Sequence, residues 1–155
     1  AKQQNNLNEW KKFDKKQYAK KIQANSLFGV FDNPGFRLFD QDISSSITLM
    51  GQETNKWITQ LVKDNGYIPI YGDTDSLFIE LGKQPVDNLI TEGQKIETLI
   101  NSNLDKFVQN FGVKKHYLNI AFDKAFESFY FGAKMEETKM RGTKKRYAGR
   151  LVWER

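Results

Sequence analysis

The sequence predicts an α+β fold in which an antiparallel sheet is covered on one face by two helices. Three observations carry this. Ile43, Ile47, Met50, Thr54, Trp57 and Leu61 recur at helical spacing, and so do Ile96, Ile100, Leu104, Phe107 and Phe111. Between these stretches, strand-like runs at 67–71 and 77–81 flank a turn-rich break, Gly72-Asp73-Thr74-Asp75-Ser76. Further strand-like runs follow the last helix. The order helix, helix, strand, turn, strand, helix, strands belongs to folds that segregate helices on a face of an antiparallel sheet.

The elements follow in order. A first helix is expected from about Leu7 to Val30, strongly charged at its start by Lys11, Lys12, Lys15, Lys16, Lys20 and Lys21. The cluster Phe31-Asp32-Asn33-Pro34-Gly35-Phe36 is a dense turn signal and stops it. A second helix, capped by Asp40 or Asp42, runs to Asn65-Gly66. The hairpin comes next. Gln84-Pro85 breaks its returning strand, and a third helix runs from Asp87 or Asn88 to about Phe111, with Gly112 as its stop. Two short strands, Tyr117–Phe122 and Ala125–Phe131, precede a charged loop or hairpin at Lys134–Gly142, and a last strand carries Lys145–Trp153. No internal repeat interrupts this order.

Composition narrows the chemistry. The chain has 155 residues, with 24 basic against 19 acidic side chains and a net charge of +5, a modest bias toward polyanionic partners. It has no cysteine, so neither disulfides nor a thiolate metal site is available. The single His116 cannot build a histidine-rich centre and reads as a strand-end or surface residue. An aromatic content of 14% is enough to furnish a core. No run is long or apolar enough to span a membrane and the N-terminus lacks a signal-peptide pattern. The expected location is intracellular, cytoplasmic or nucleoid-associated, or in a virus-infected host cell.

Three groups of residues carry chemistry. Asp73 and Asp75 sit two apart at the hairpin tip. Alone, an Asp-x-Asp tip is an ordinary solvated turn, but paired acids repel, and a hard divalent cation between them turns that repulsion into binding. Lys21, Asn25 and Phe28, at i, i+4 and i+7, share one helical face offering a cation, an amide and a flat ring, and Gly29 beside them admits close approach. Lys144, Lys145, Arg146 and Tyr147 combine phosphate-neutralising charge with an aromatic side chain. Taken singly, the last two are an amphipathic helix end and a basic strand edge.

Taken together they resemble a known family. Tyr71-Gly72-Asp73-Thr74-Asp75-Ser76 resembles motif C of the family B DNA polymerases, Lys21-Ile22-Gln23-Ala24-Asn25-Ser26-Leu27-Phe28-Gly29 resembles motif B, and Thr143-Lys144-Lys145-Arg146-Tyr147 resembles the Lys-Lys-Arg-Tyr motif, in the family's order. The resemblance implies that residues 1–30 are the C-terminal helix of the fingers and residues 31–155 the C-terminal part of the palm. It implies Asp75 as the main metal ligand, Asp73 as a more peripheral catalytic acid, and Asp123, with Glu127 as the alternative, as a further acid near two Mg²⁺ ions that Mn²⁺ replaces. It implies Lys21, Asn25, Phe28 and Gly29 as the nucleotide site, with Phe28 where the family usually has tyrosine. Lys144, Lys145, Arg146 and Tyr147 are implied to contact primer–template DNA.

The function so implied is template-directed nucleotidyl transfer from a dNTP to a primer 3′ end. The family's motif A aspartate precedes motif B and is not found in these residues. The chain is therefore expected to be a fragment, a split subunit or an isolated domain, inactive by itself and completed by the remaining polymerase segments or a complementary subunit. Two other readings use the same residues. One is a catalytically inactive, polymerase-like palm that only binds DNA or a partner chain, against which the retained acid pair argues. The other is a phosphohydrolase or nuclease, which leaves the Lys21, Asn25 and Phe28 face unexplained.

Overall fold

A computed structural model describes the backbone of residues 2–136 and 139–155, and the side chains of residues 9–133, 143 and 145–155. The class is α+β: helices α1 (Lys2–Asp32), α2 (Gln41–Asp64) and α3 (Val86–Gln109), and strands β1 (Ile68–Asp73), β2 (Ser76–Glu80), β3 (Lys124–Glu136) and β4 (Lys139–Glu154). The chain divides into two compact units, residues 1–50 and 51–155, with α2 running through the division.

In the first unit α1 lacks an apolar stripe and exposes Trp10, Phe13 and Tyr18. The turn after it closes through Phe36 N–H to Asn33 O and Asp40 N–H to Phe31 O. Asp40, not Asp42, is the cap: its Oδ1 accepts from the backbone N–H of Asp42 and of Ile43, both at 3.0 Å.

In the second unit the core is built from Ile58 and Val62 of α2 and Ile96 and Ile100 of α3, with Leu77, Ile79 and Leu81 packed against them. The face of α2 that faces this core is therefore centred one residue beyond the expected stripe, with Trp57 and Leu61 at its flanks. Val62 is fully buried, which by area stabilises the fold by about 1.5–3 kcal/mol. Trp57 stacks on Phe107 at 4.7 Å to extend the core along α3. The start of α3 has Pro85 as its N-cap with no side-chain cap, so neither Asp87 nor Asn88 closes it.

The strands form two separate two-stranded antiparallel sheets, β1–β2 and β3–β4, where the sequence suggested one. The reason lies in the side chains that meet. Alternate β2 residues point to opposite faces: Leu77 and Ile79 go to the helices, while Phe78 goes to the rings of Phe126, Phe129 and Tyr147. Aromatic rings at centroid distances of 4.8–6.5 Å hold the hairpins at side-chain spacing, too far apart for a shared backbone ladder.

The segment Tyr117–Phe122, expected as a strand, is not one. Its backbone bonds go to α3 side chains: Ile120 N–H to Asn101 Oδ1 at 2.9 Å, Asn101 Nδ2 to Ile120 O at 2.7 Å, and Phe122 N–H to Glu97 Oε2 at 3.0 Å. A strand partner is unnecessary once helix side chains satisfy these groups. His116 sits at the start of this segment, its Nε2 2.9 Å from Asp105 Oδ1.

Candidate functional site

The hairpin between β1 and β2 carries the acids. Asp73 pairs with Ser76, leaving Thr74 and Asp75 as a two-residue turn. Asn55 of α2 clamps that turn by donating from Nδ2 to Thr74 O at 2.7 Å and to Asp73 O at 3.3 Å. Nothing in the sequence marks Asn55, because its partners lie 18 and 19 residues away.

The two carboxylates are not equivalent. Asp73 Oδ1 accepts from Thr74 N–H at 2.9 Å and from Thr74 Oγ1 at 3.2 Å, and Lys145 Nζ lies 3.4 Å from it. Partial desolvation pushes this carboxyl up, but the Thr74 backbone N–H, the Lys145 charge and the Thr74 hydroxyl outweigh it and hold it below the usual carboxylate range. Asp75 is exposed and has no hydrogen bond or ion pair with any described residue. Asp75 and Asp123 line the same cleft of about 1370 Å³. Glu127 lines it too, but pairs with Arg150 Nη1 at 3.1 Å, which leaves Asp123 the less engaged acid.

Lys145 reaches Asp73 through a bulge in β4. Phe131 pairs with Tyr147 and Ala133 with Gly142, so Thr143–Arg146 lie opposite Gly132 alone. Lys145 occupies the left-handed region, φ +62°, alone among the described non-glycine residues. That conformation costs about 1–2 kcal/mol and persists only where neighbours fix it. The fixing contacts are Thr143 Oγ1 donating to Gly132 O at 2.7 Å and Lys145 N–H donating to Tyr71 Oη at 3.1 Å. A Cβ on Gly132 would lie 2.7 Å from Thr143 Oγ1 and 3.1 Å from Arg146 O, so the bulge needs glycine there. Tyr147 packs its ring on Phe129 at 5.2 Å and stays half exposed, while Arg146 is exposed. The side chain of Lys144 lies outside the described residues.

Lys21, Asn25, Phe28 and Gly29 belong to the first unit, on an exposed face of α1. Nothing lies within 4 Å of where a Cβ on Gly29 would sit, so packing within the chain does not require glycine there.

The model of DNA polymerase family B matches residues 1–154, nearly the whole chain. The chain belongs to that family. Its relatives include DNA polymerase 1 of Saccharolobus solfataricus, 32% identical over 79% of this chain and 14% of that protein. DNA polymerase II of Escherichia coli is 31% identical over 84% of this chain and 16% of that protein. The DNA polymerase delta catalytic subunit of Glycine max is 30% identical over 90% and 12%. The chain thus spans about one seventh of the curated relatives it matches.

The donors of this family B chain suit a hard divalent cation in kind: Asp75 and Asp123 offer carboxylate oxygens on one cleft. Among the described residues no group of three or more His, Cys, Asp or Glu is placed to hold a metal. A hard cation such as Mg²⁺ generally takes few protein carboxylates and otherwise waters and substrate phosphates as ligands. Among the described residues no helix is long and apolar enough to cross a membrane.

Proposed function

We propose that this chain is the motif B to Lys-Lys-Arg-Tyr portion of a DNA-directed DNA polymerase that transfers nucleotides from dNTP to a primer 3′ end on a template. The observation that carries this reading, beside family membership, is the inequality of the acids. Asp75 has no hydrogen bond or ion pair with any described residue and shares a cleft with Asp123, whereas Asp73 is already engaged.

Each residue has a defined task in this reading. Asp75 and Asp123 hold the cation site open at the cleft. When bound there with water and triphosphate oxygens, two Mg²⁺ ions, or Mn²⁺ in their place, would supply charge neutralisation at the attacking and leaving oxygens. Lys21 binds a phosphate of the dNTP, Asn25 lines the nucleotide pocket, and Phe28 stacks on the nascent pair without the hydroxyl that a tyrosine would bring. Gly29 leaves room for that pair. Of Lys144, Lys145, Arg146 and Tyr147, implied together as DNA contacts, Lys144, Arg146 and Tyr147 contact primer–template DNA without reading its sequence, whereas the Lys145 ammonium lies 3.4 Å from Asp73. Residues 1–30 serve as the fingers helix and residues 31–155 as the C-terminal part of the palm, working with the remaining polymerase segments.

Primer extension tests this. The full-length polymerase should add the templated nucleotide, and Asp75→Ala should abolish addition while duplex affinity stays within about twofold. The 155 residues alone, about one seventh of the length of the relatives, should give no extension. Full-length protein that bound duplex but added no templated nucleotide would sink the reading.

A further inference from the structure

We propose that Lys145 is a positioning residue that keeps Asp73 out of the cation site, so that the two acids of the turn have unequal roles; this rests on the cation-site reading above.

A lone surface ion pair would not support such a role. The Lys145 side chain is 68% exposed, and exposed pairs contribute little. This pair differs in how its lysine is anchored. The backbone N–H of the same residue donates to Tyr71 Oη, and the Tyr71 ring packs against Phe78, Phe131 and Tyr147. Lys145 therefore grips β1 at two positions on one face, Tyr71 through its backbone and Asp73 through its ammonium. The grip requires the left-handed backbone, and the bulge opposite Gly132 is built to hold it. A strained residue whose only two long-range partners among the described residues are on the acid-bearing strand points to a role at that strand.

The consequence follows from lone-pair accounting. Asp73 Oδ1 faces three donors, Thr74 N–H, Thr74 Oγ1 and Lys145 Nζ. Oδ1 so occupied is a poor cation ligand, which leaves Oδ2, and the ammonium beside the carboxylate cancels the charge that would otherwise draw a second cation to it. Asp75 is left as the acid of the turn that faces a cation alone.

Mn²⁺ binding to the full-length protein without nucleotide, read by electron paramagnetic resonance, tests this apart from activity. Lys145→Met removes the charge at similar length. Lys145→Gly also removes it and suits φ +62°, so it carries the test if the methionine variant does not fold. Both should bind Mn²⁺ about fivefold more tightly or better, the scale of one nearby charge at a surface. The gain should vanish in an Asp73→Asn background, and the salt slope of duplex affinity should not change. Unchanged Mn²⁺ affinity, or a gain that persists with Asp73→Asn, overturns the proposal. A slope lower by about one unit would then make Lys145 a phosphate contact. Mn²⁺ binding insensitive to Asp75→Asn would instead bring down the cation-site reading, and this proposal with it.

Discussion

The side-chain amide of Asn55 donates to the carbonyl oxygen of Thr74 at 2.7 Å, so helix α2 holds the acidic turn from outside the hairpin. Asn55→Ala leaves that carbonyl and its neighbour at Asp73 without this donor. The expected cost is about 1–2 kcal/mol in unfolding free energy. In the full-length enzyme kcat should fall, with nucleotide KM little changed, because the turn carries acids and not the nucleotide face. An Asn55→Ala variant with wild-type stability and kcat would show that the clamp is idle.

Asp73 and Asp75 should separate in a thermal melt. Asp73 accepts two hydrogen bonds and pairs with Lys145, whereas Asp75 has no such partner among the described residues. Asp73→Ala should therefore lower Tm, while Asp75→Ala should leave it unchanged or raise it slightly by relieving repulsion between the acids. Equal losses from the two variants would contradict the asymmetry.

Lys21 sits on an exposed face of α1, one turn from Asn25 and two from Phe28. In the full-length enzyme Lys21→Ala should raise nucleotide KM or lower kcat roughly tenfold, the scale of one lost charge-assisted phosphate contact. Duplex affinity and its salt slope should stay put. A lost unit of slope with unchanged KM would assign Lys21 to DNA.

Acid stability should depend on Glu92. The ammonium of Lys95, hydrogen-bonded to its carboxylate, holds that carboxyl below the usual range; partial desolvation opposes this, and Tyr67 Oη, 3.2 Å away, adds to the lowering. A depressed folded-state value means that the contribution is present above the ordinary carboxylate range and is lost as pH falls through the lowered one. Urea unfolding of the chain from pH 7 down to about pH 3 should show stability falling more steeply in the wild type than in Glu92→Gln. Parallel profiles would remove Glu92 from the acid response.

What the sequence makes legible is what local pattern encodes. The three helices and the break at Gly72–Ser76 are visible because apolar spacing and turn residues act over a few positions. Tyr117–Phe122 misleads, since alternating apolar residues look the same whether the backbone bonds a strand or the side chains of Asn101 and Glu97. Asn55 and the Tyr71 hydroxyl are silent because their partners come from distant sequence. The Lys-Lys-Arg-Tyr motif is legible as a basic cluster, but its bulge is not. Only the register of β3 on β4 reveals that four residues oppose Gly132.

Among the described residues each of the two hairpins is only two strands wide, so each strand leaves one row of backbone amides and carbonyls without a ladder partner there. Such rows are templates for other chains. Produced as a separate polypeptide, these residues should self-associate through their strand edges, in a concentration-dependent way that light scattering would detect. Lysine substitutions at outward positions of β2, such as Ser76→Lys, should suppress it. Solubility, and not catalytic strength, would then be the first property that the rest of the polymerase confers on this segment.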